Sequence, residues 1–227
     1  LRRCVEWISW CRPAYWALHC KLCFMRAMRL FGIRIDDVRD IFGAPPEVAE
    51  ALTRVFTEHH PAPVMKRRWG LFRRNPDLDV DPTRPTMRDA TTLLEGGFVP
   101  QERLRPCWDV FLLWLEHLAD STSRIEYRRL DSVEFDLARR GLPSTLSVTH
   151  LGKRPLGIPL TPLPGMQVGY SHRTHAAATR EALEEIDPET LDKATHEVVA
   201  PLRGFLQELS SEKDVVVVDQ AIPQEPS

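Results

Sequence analysis

The chain of 227 residues lacks any apolar run of the roughly eighteen residues that a bilayer span requires; its longest uninterrupted one is Val110 to Leu115. The stretch from Val5 to Ile33 has the length, but Glu6, Arg12, Lys21, Arg26 and Arg29 punctuate it. Each of those charges is expensive at a membrane centre, so the segment is expected to lie on a surface rather than cross one. Catalytic signatures are missing as well: there is no HExxH, GxSxG or GxGxxG, and GKRPLG at 152–157 lacks the spacing of a phosphate loop. Acids are scarce at one place, since Glu6 is the only one before Asp36. Net charge is small, at -2 with a pI near 6.5, so the chain as a whole has no electrostatic reason to seek nucleic acid. Cysteine usage excludes a secreted disulfide scaffold. Five is an odd number, and Cys20-x-x-Cys23 has no second pair to complete a zinc site, so the cysteines read as packed and reduced.

The residues that are present read as mainly α. Arg2, Arg3, Arg12, Lys21, Arg26, Arg29 and Arg34 are interleaved with Trp7, Trp10, Tyr15 and Trp16, which marks a basic, aromatic N-terminal helical segment over 1–34, broken near Pro13. A helical core is expected over 35–142. Within it Pro45-Pro46 opens a helix in which Val48, Ala51, Leu52, Val55 and Phe56 recur at helical spacing, and Thr86 caps a short helix that Gly96-Gly97 stops. Lys66-Arg67-Arg68-Trp69 and the residues to Arg74 form a basic block, read as a solvated helix face or a protein contact, with RNA or lipid phosphates as the other possibility. Pro100 and Pro106 then set the direction of a helix carrying Trp108, Phe111, Leu112, Leu115 and Leu118 on one face, with Val110, Leu113 and Trp114 on the others. A helix apolar nearly all round must be covered on several sides, by its own domain or by a partner.

Beyond that, 143–173 reads as a Pro- and Gly-rich arm outside the core, 174–213 as a pair of helices, and 214–227 as a tail in which Val215 to Val218 form an edge strand. Histidines offer only His59-His60 and His172-x-x-His175 as close pairs, in settings that favour capping or surface roles over metal binding.

Taken in order, MRLFGIRIDDVRD, EVAEALTRVFTEHHPAPVMKRRWGLFR and FVPQERLRP before a long helix resemble the small matrix-facing subunit of mitochondrial ubiquinol-cytochrome c reductase, the subunit 7 or cytochrome b binding protein family of complex III. Phe31-Gly32-Ile33 with Asp36-Asp37 matches that family's first turn, Glu47 to Leu52 its helix core, Met65 to Arg68 its basic segment, and Val99-Pro100-Gln101-Glu102 the turn before its last helix. The similarity spans about residues 24 to 128, with 75–89 as an insertion and everything beyond as an extension.

The resemblance implies a non-catalytic accessory subunit, peripheral on the matrix side of the mitochondrial inner membrane. It would cap cytochrome b beside other complex III subunits and bind no cofactor itself, hemes and quinone belonging to its neighbours. Trp7, Trp10, Arg26, Arg29, Lys66, Arg67, Arg68, Trp69, Pro100, Glu102, Trp108 and Trp114 are the expected partner-interface residues, with anionic lipid headgroups as a further contact and no nucleic acid. The reading from a different class is a peripheral structural protein of another mitochondrial assembly such as the mitoribosome, using the basic block on phosphates.

Overall fold

Four consecutive valines decide the architecture. Val215, Val216, Val217 and Val218 are all buried, and because successive strand residues point to opposite faces, they need cover on both sides of a sheet. The computed structural model, which describes residues 25–61 and 82–222, supplies that cover with helices on either face. The sheet is four-stranded and antiparallel at every pairing: β1 (Arg26–Ile33), β2 (Ser121–Tyr127), β3 (Gln167–Ser171) and β4 (Asp214–Ala221), in the order β2-β1-β4-β3. Its register sets Phe31 opposite Thr122 and Val216, and Leu30 opposite Ser123 and Val217.

The expectation of a mainly α protein is therefore corrected to a mixed α/β fold of three layers. Residues 26–33, expected within a helical segment, form an inner strand, and 121–127 interrupts what read as a helical run. Val215 to Val218, expected at an edge, occupy the other inner strand.

On one face, Phe31, Ile33, Val216 and Val218 pack against a helical layer. It consists of α1 (Ile35–Arg39), α2 (Pro46–His59), α3 (Met87–Leu94) and α4 (Leu104–Leu118). On the other, Met28, Leu30, Ile125, Val215 and Val217 pack against α5 (Leu130–Arg139), α6 (Arg173–Glu184) and α7 (Lys193–Glu208). The all-round apolar α4 is covered by its own chain. Trp108 and Trp114 are both fully buried, and each indole N–H finds a carbonyl, of Thr161 at 2.8 Å and of Leu52 at 3.0 Å.

The proline-rich arm also belongs to the core. Val148 and Leu151 lie in the cluster beneath α5 to α7, while Leu156, Leu160 and Met166 lie in the one beneath α1 to α4, so the arm passes round the β3 edge from one face to the other. On the way Arg154 bridges to Tyr170, whose N–H donates to its carbonyl at 2.8 Å, giving the edge strand a partner. This close passage needs glycine: a Cβ on Gly169 would sit 2.0 Å from the Gly152 carbonyl oxygen.

One buried carboxylate ties both layers to the sheet. Asp214, at the start of β4, accepts from the backbone N–H of Ile35 at 3.0 Å and of Arg173 at 2.9 Å, the first residues of α1 and α6. Those groups have no partner inside their own helices. Replacing Asp214 with alanine leaves one buried and one half-buried donor without an acceptor, and we expect a loss of about 2–3 kcal/mol. Urea unfolding is the check; a change below about 1 kcal/mol would mean that water replaces the carboxylate without penalty.

Candidate partner-docking site

The turn between α3 and α4 is fixed at both ends. Thr86 opens α3 with a capping box: Asp89 N–H donates to its hydroxyl oxygen at 3.3 Å, and the Asp89 carboxylate accepts from Thr86 N–H at 2.7 Å. At the other end, Gly96 N–H donates to Leu93 and Gly97 N–H to Thr92, the paired bonds of a Schellman stop, with Gly96 at φ +66° where glycine is favoured. The carbonyl of Leu94 accepts from Gly43 and Ala44, which ties the turn to the segment before α2.

Arg103 closes the arrangement from the α4 side. Its guanidinium donates to both oxygens of Asp89, at 2.9 Å from Nε to Oδ1 and through a second bond from Nη2 to Oδ2, and also to the carbonyls of Pro82 and Arg84. Asp89 is buried, and burial alone would raise its pKa; hydrogen bonds from Arg103 and Thr86 outweigh that and hold it below the usual carboxylate value. Cys107, next to this pair and buried, has its thiol pushed up to about 12 by burial and then by the Asp89 charge, so it is a neutral packing residue.

Between these fixed points one large apolar side chain faces water. Val99 is buried in the core, whereas its neighbour Phe98 is 88% exposed. Among the described residues the other exposed large hydrophobic side chains are Met87 at 44% and Phe135 at 66%, and the Phe135 ring carries the Arg139 guanidinium 5.9 Å from its centre. Phe98 is flanked along the chain by the exposed Glu95 and Glu102, and the half-buried Pro100 starts the short 3-10 turn Gln101–Arg103 that leads into α4.

The remaining expected interface residues are dispersed. Trp108 and Trp114 are core and not surface, which corrects their assignment to a partner contact. Arg26 donates from Nε to the Asp219 carboxylate at 3.2 and 3.1 Å and from Nη2 to the Gly165 carbonyl at 3.0 Å. The Tyr127 hydroxyl donates to the same carboxylate at 2.6 Å, so this is an internal knot across β2, β1 and β4; burial and then Asp219 raise the Tyr127 pKa. Arg29 pairs with Glu116 and lies 5.4 Å over the Phe31 ring. Trp7, Trp10, Lys66, Arg67, Arg68 and Trp69 lie outside the described residues. Pro100 and Glu102 remain at the surface turn, together with the exposed Phe98, which the sequence did not single out.

The histidine pairs have local roles. His59 Nδ1 lies 2.9 Å from the Val55 carbonyl oxygen, His60 stacks on Phe56, and His172 caps α6. Among the described residues no three His, Cys, Asp or Glu side chains gather as metal ligands would, and no helix is long and apolar enough to cross a membrane. The chain matches no known family model, no curated protein and no solved structure.

The Asp89 pair has a pH signature. A carboxylate with a folded pKa below its unfolded value near 3.9 stabilises the fold fully above that value, and its contribution drains away as pH falls through the folded pKa. Asp89→Asn is expected to cost about 2–3 kcal/mol at neutral pH, with the gap to wild type narrowing as urea unfolding is repeated toward pH 2. A gap independent of pH would show that the lost stability does not come from the carboxylate's charge.

Proposed function

We propose that this chain is a non-catalytic docking protein that engages a larger partner through the Phe98 turn. The observation that carries the reading is the contrast at that turn. A capping box, a Schellman stop and a half-buried ion pair fix the flanking backbone, yet the one large apolar side chain the turn presents faces water. Burying a phenylalanine side chain contributes about 1.5–3 kcal/mol, a gain forgone in the isolated chain. Aromatic anchors that enter a partner's pocket from a pre-formed turn are the usual centres of binding energy. Glu95 and Glu102 give the anchor an acidic rim, so the socket it suits is apolar with basic residues around it.

The sequence resemblance names one specific assembly, the cytochrome bc complex on the matrix side of the mitochondrial inner membrane, with cytochrome b as partner. Glu47 to Leu52 lies inside α2, and Val99 to Glu102 leads into α4, which agrees with the resemblance. The strand Arg26–Ile33 runs through Phe31-Gly32-Ile33, the residues matched to that family's first turn, and this weighs against it. The broader docking reading does not depend on that identification.

The test is to tag the full chain, solubilise membranes in mild detergent and follow its migration on a native gel beside heme b and quinol-cytochrome c reductase activity. Phe98→Asp is then compared with wild type. We expect the variant to leave the thermal midpoint unchanged, because the ring has almost no contacts in the isolated chain, and to weaken partner binding by about thirtyfold. Co-migration with heme b identifies the complex III partner, whereas migration with ribosomal RNA identifies the other assembly. A Phe98→Asp chain that stays in whatever complex wild type enters would remove the basis of the docking reading.

A further inference from the structure

On the face of the sheet opposite Phe98, a groove of about 450 Å³ opens between the end of α5 and the second half of α6. Small residues make the space. Ala178 and Ala182 form one wall, Leu146 and Ile186 provide apolar floor, and a Cβ built on Gly141, which has φ +98°, would meet nothing within 4 Å. The volume suits one or two large side chains of a bound segment.

Two carboxylates of this groove lack counter-charges. Glu181, in the last turn of α6, and Glu185, its C-cap, line it four residues apart, where like charges repel. They also stand at the C-terminal end of the helix, where the backbone dipole disfavours anions, and the last turn of α6 has no basic residue. Among the described residues neither carboxylate has an ion-pair partner. The cations are committed elsewhere, including Arg140, which itself lines the groove. Arg140 donates to Asp136 at 3.2 Å, Arg180 pairs with Glu184 at 4.0 Å, and Arg203 donates to the Leu183 and Ile186 carbonyls. The stretch 181–192 holds six acids and no Lys, Arg or His.

We infer that this groove is a second docking site, for a cationic amphipathic segment of a partner protein. An aliphatic or aromatic side chain of that segment enters between Ala178, Ala182 and Leu146, and its Lys or Arg residues pair with Glu181 and Glu185. The repulsion between the two carboxylates is relieved on binding. Affinity therefore combines apolar burial with a salt-sensitive electrostatic part.

The experiment titrates full-length protein into a fluorescein-labelled probe peptide built from repeated leucine and lysine so that a helix has one apolar and one basic face. Anisotropy is the readout. The expected result is saturable binding that weakens about tenfold in Glu181→Gln/Glu185→Gln and again about tenfold in Ala178→Trp, which fills the groove. The double glutamine variant changes only exposed side chains, so it keeps the test decisive if Ala178→Trp fails to fold by circular dichroism. Phe98→Asp binds the probe as wild type does, which separates failure here from failure at the other turn. No binding by wild type, equal binding of a peptide with glutamate in place of lysine, or equal binding by both groove variants overturns the inference. So does a wild-type dimer that the groove substitutions dissociate, since a second copy would then be the occupant.

Discussion

The structure depends on an inner strand with no polar face. A strand that buries Val215 to Val218 on both sides cannot be the edge of a two-layer protein; it requires neighbours along both edges and helices above and below. β1 meets the same demand beside it, with Phe31 and Ile33 serving one core and Met28 and Leu30 the other. Everything else is placed by these two strands. The outer strands are more polar because each meets a lesser demand: β2 exposes Thr122, Arg124 and Glu126, and β3 is only five residues long.

Such a sheet must bring helices into register on both faces at once, and polar contacts do this where apolar packing cannot. Hydrophobic burial is non-directional, so it holds layers together without fixing where a helix begins. Asp214 supplies the direction, since one carboxylate aligns the starts of α1 and α6 with the end of the sheet from which both depart. Arg26, Tyr127 and Asp219 act similarly at the opposite end of β4, joining three adjacent strands through one buried acid. Both acids lie on the strand with the strongest apolar pattern, so its two ends set register while its middle supplies cohesion.

What could be read from the sequence was local. α2 follows from Val48, Leu52, Val55 and Phe56 at helical spacing, and α3 from Thr86 as cap and Gly96-Gly97 as stop, because those signals lie within one or two turns of the element they define. β1 was hidden for a physical reason. A strand buried on both faces has no alternation of polar and apolar residues, and MRAMRLFGI then reads equally as a short piece of helix. Its two arginines strengthened that impression, although each has a dedicated partner in Asp219 or Glu116. The arm misled differently: its prolines and glycines announce irregular backbone correctly, but irregular backbone can still bury Leu151, Leu156 and Leu160. Asp214 had no signal at all, because its partners stand 179 and 41 residues away in sequence. Apolar α4 posed the question of what covers it, and periodicity alone cannot say whether the cover comes from the same chain.

Burial and hydrogen bonding separate Trp108 and Trp114 from Phe98. All three are aromatic, yet a buried tryptophan with its N–H on a backbone carbonyl has both its area and its polar atom accounted for within the chain. Phe98 has no polar atom to satisfy, but its apolar area stays in water, at 88% exposure, while its neighbour Val99 is buried. The acidic groove presents the electrostatic form of this imbalance, with two carboxylates lacking counter-charges as the ring lacks apolar neighbours. The turn belongs to the α1 to α4 layer and the groove to the α5 to α7 layer, with the sheet between them and no shared side chains. Perturbations at sites so separated add rather than couple. If both proposed surfaces are occupied, the sheet lies between two partners, one on each of its faces.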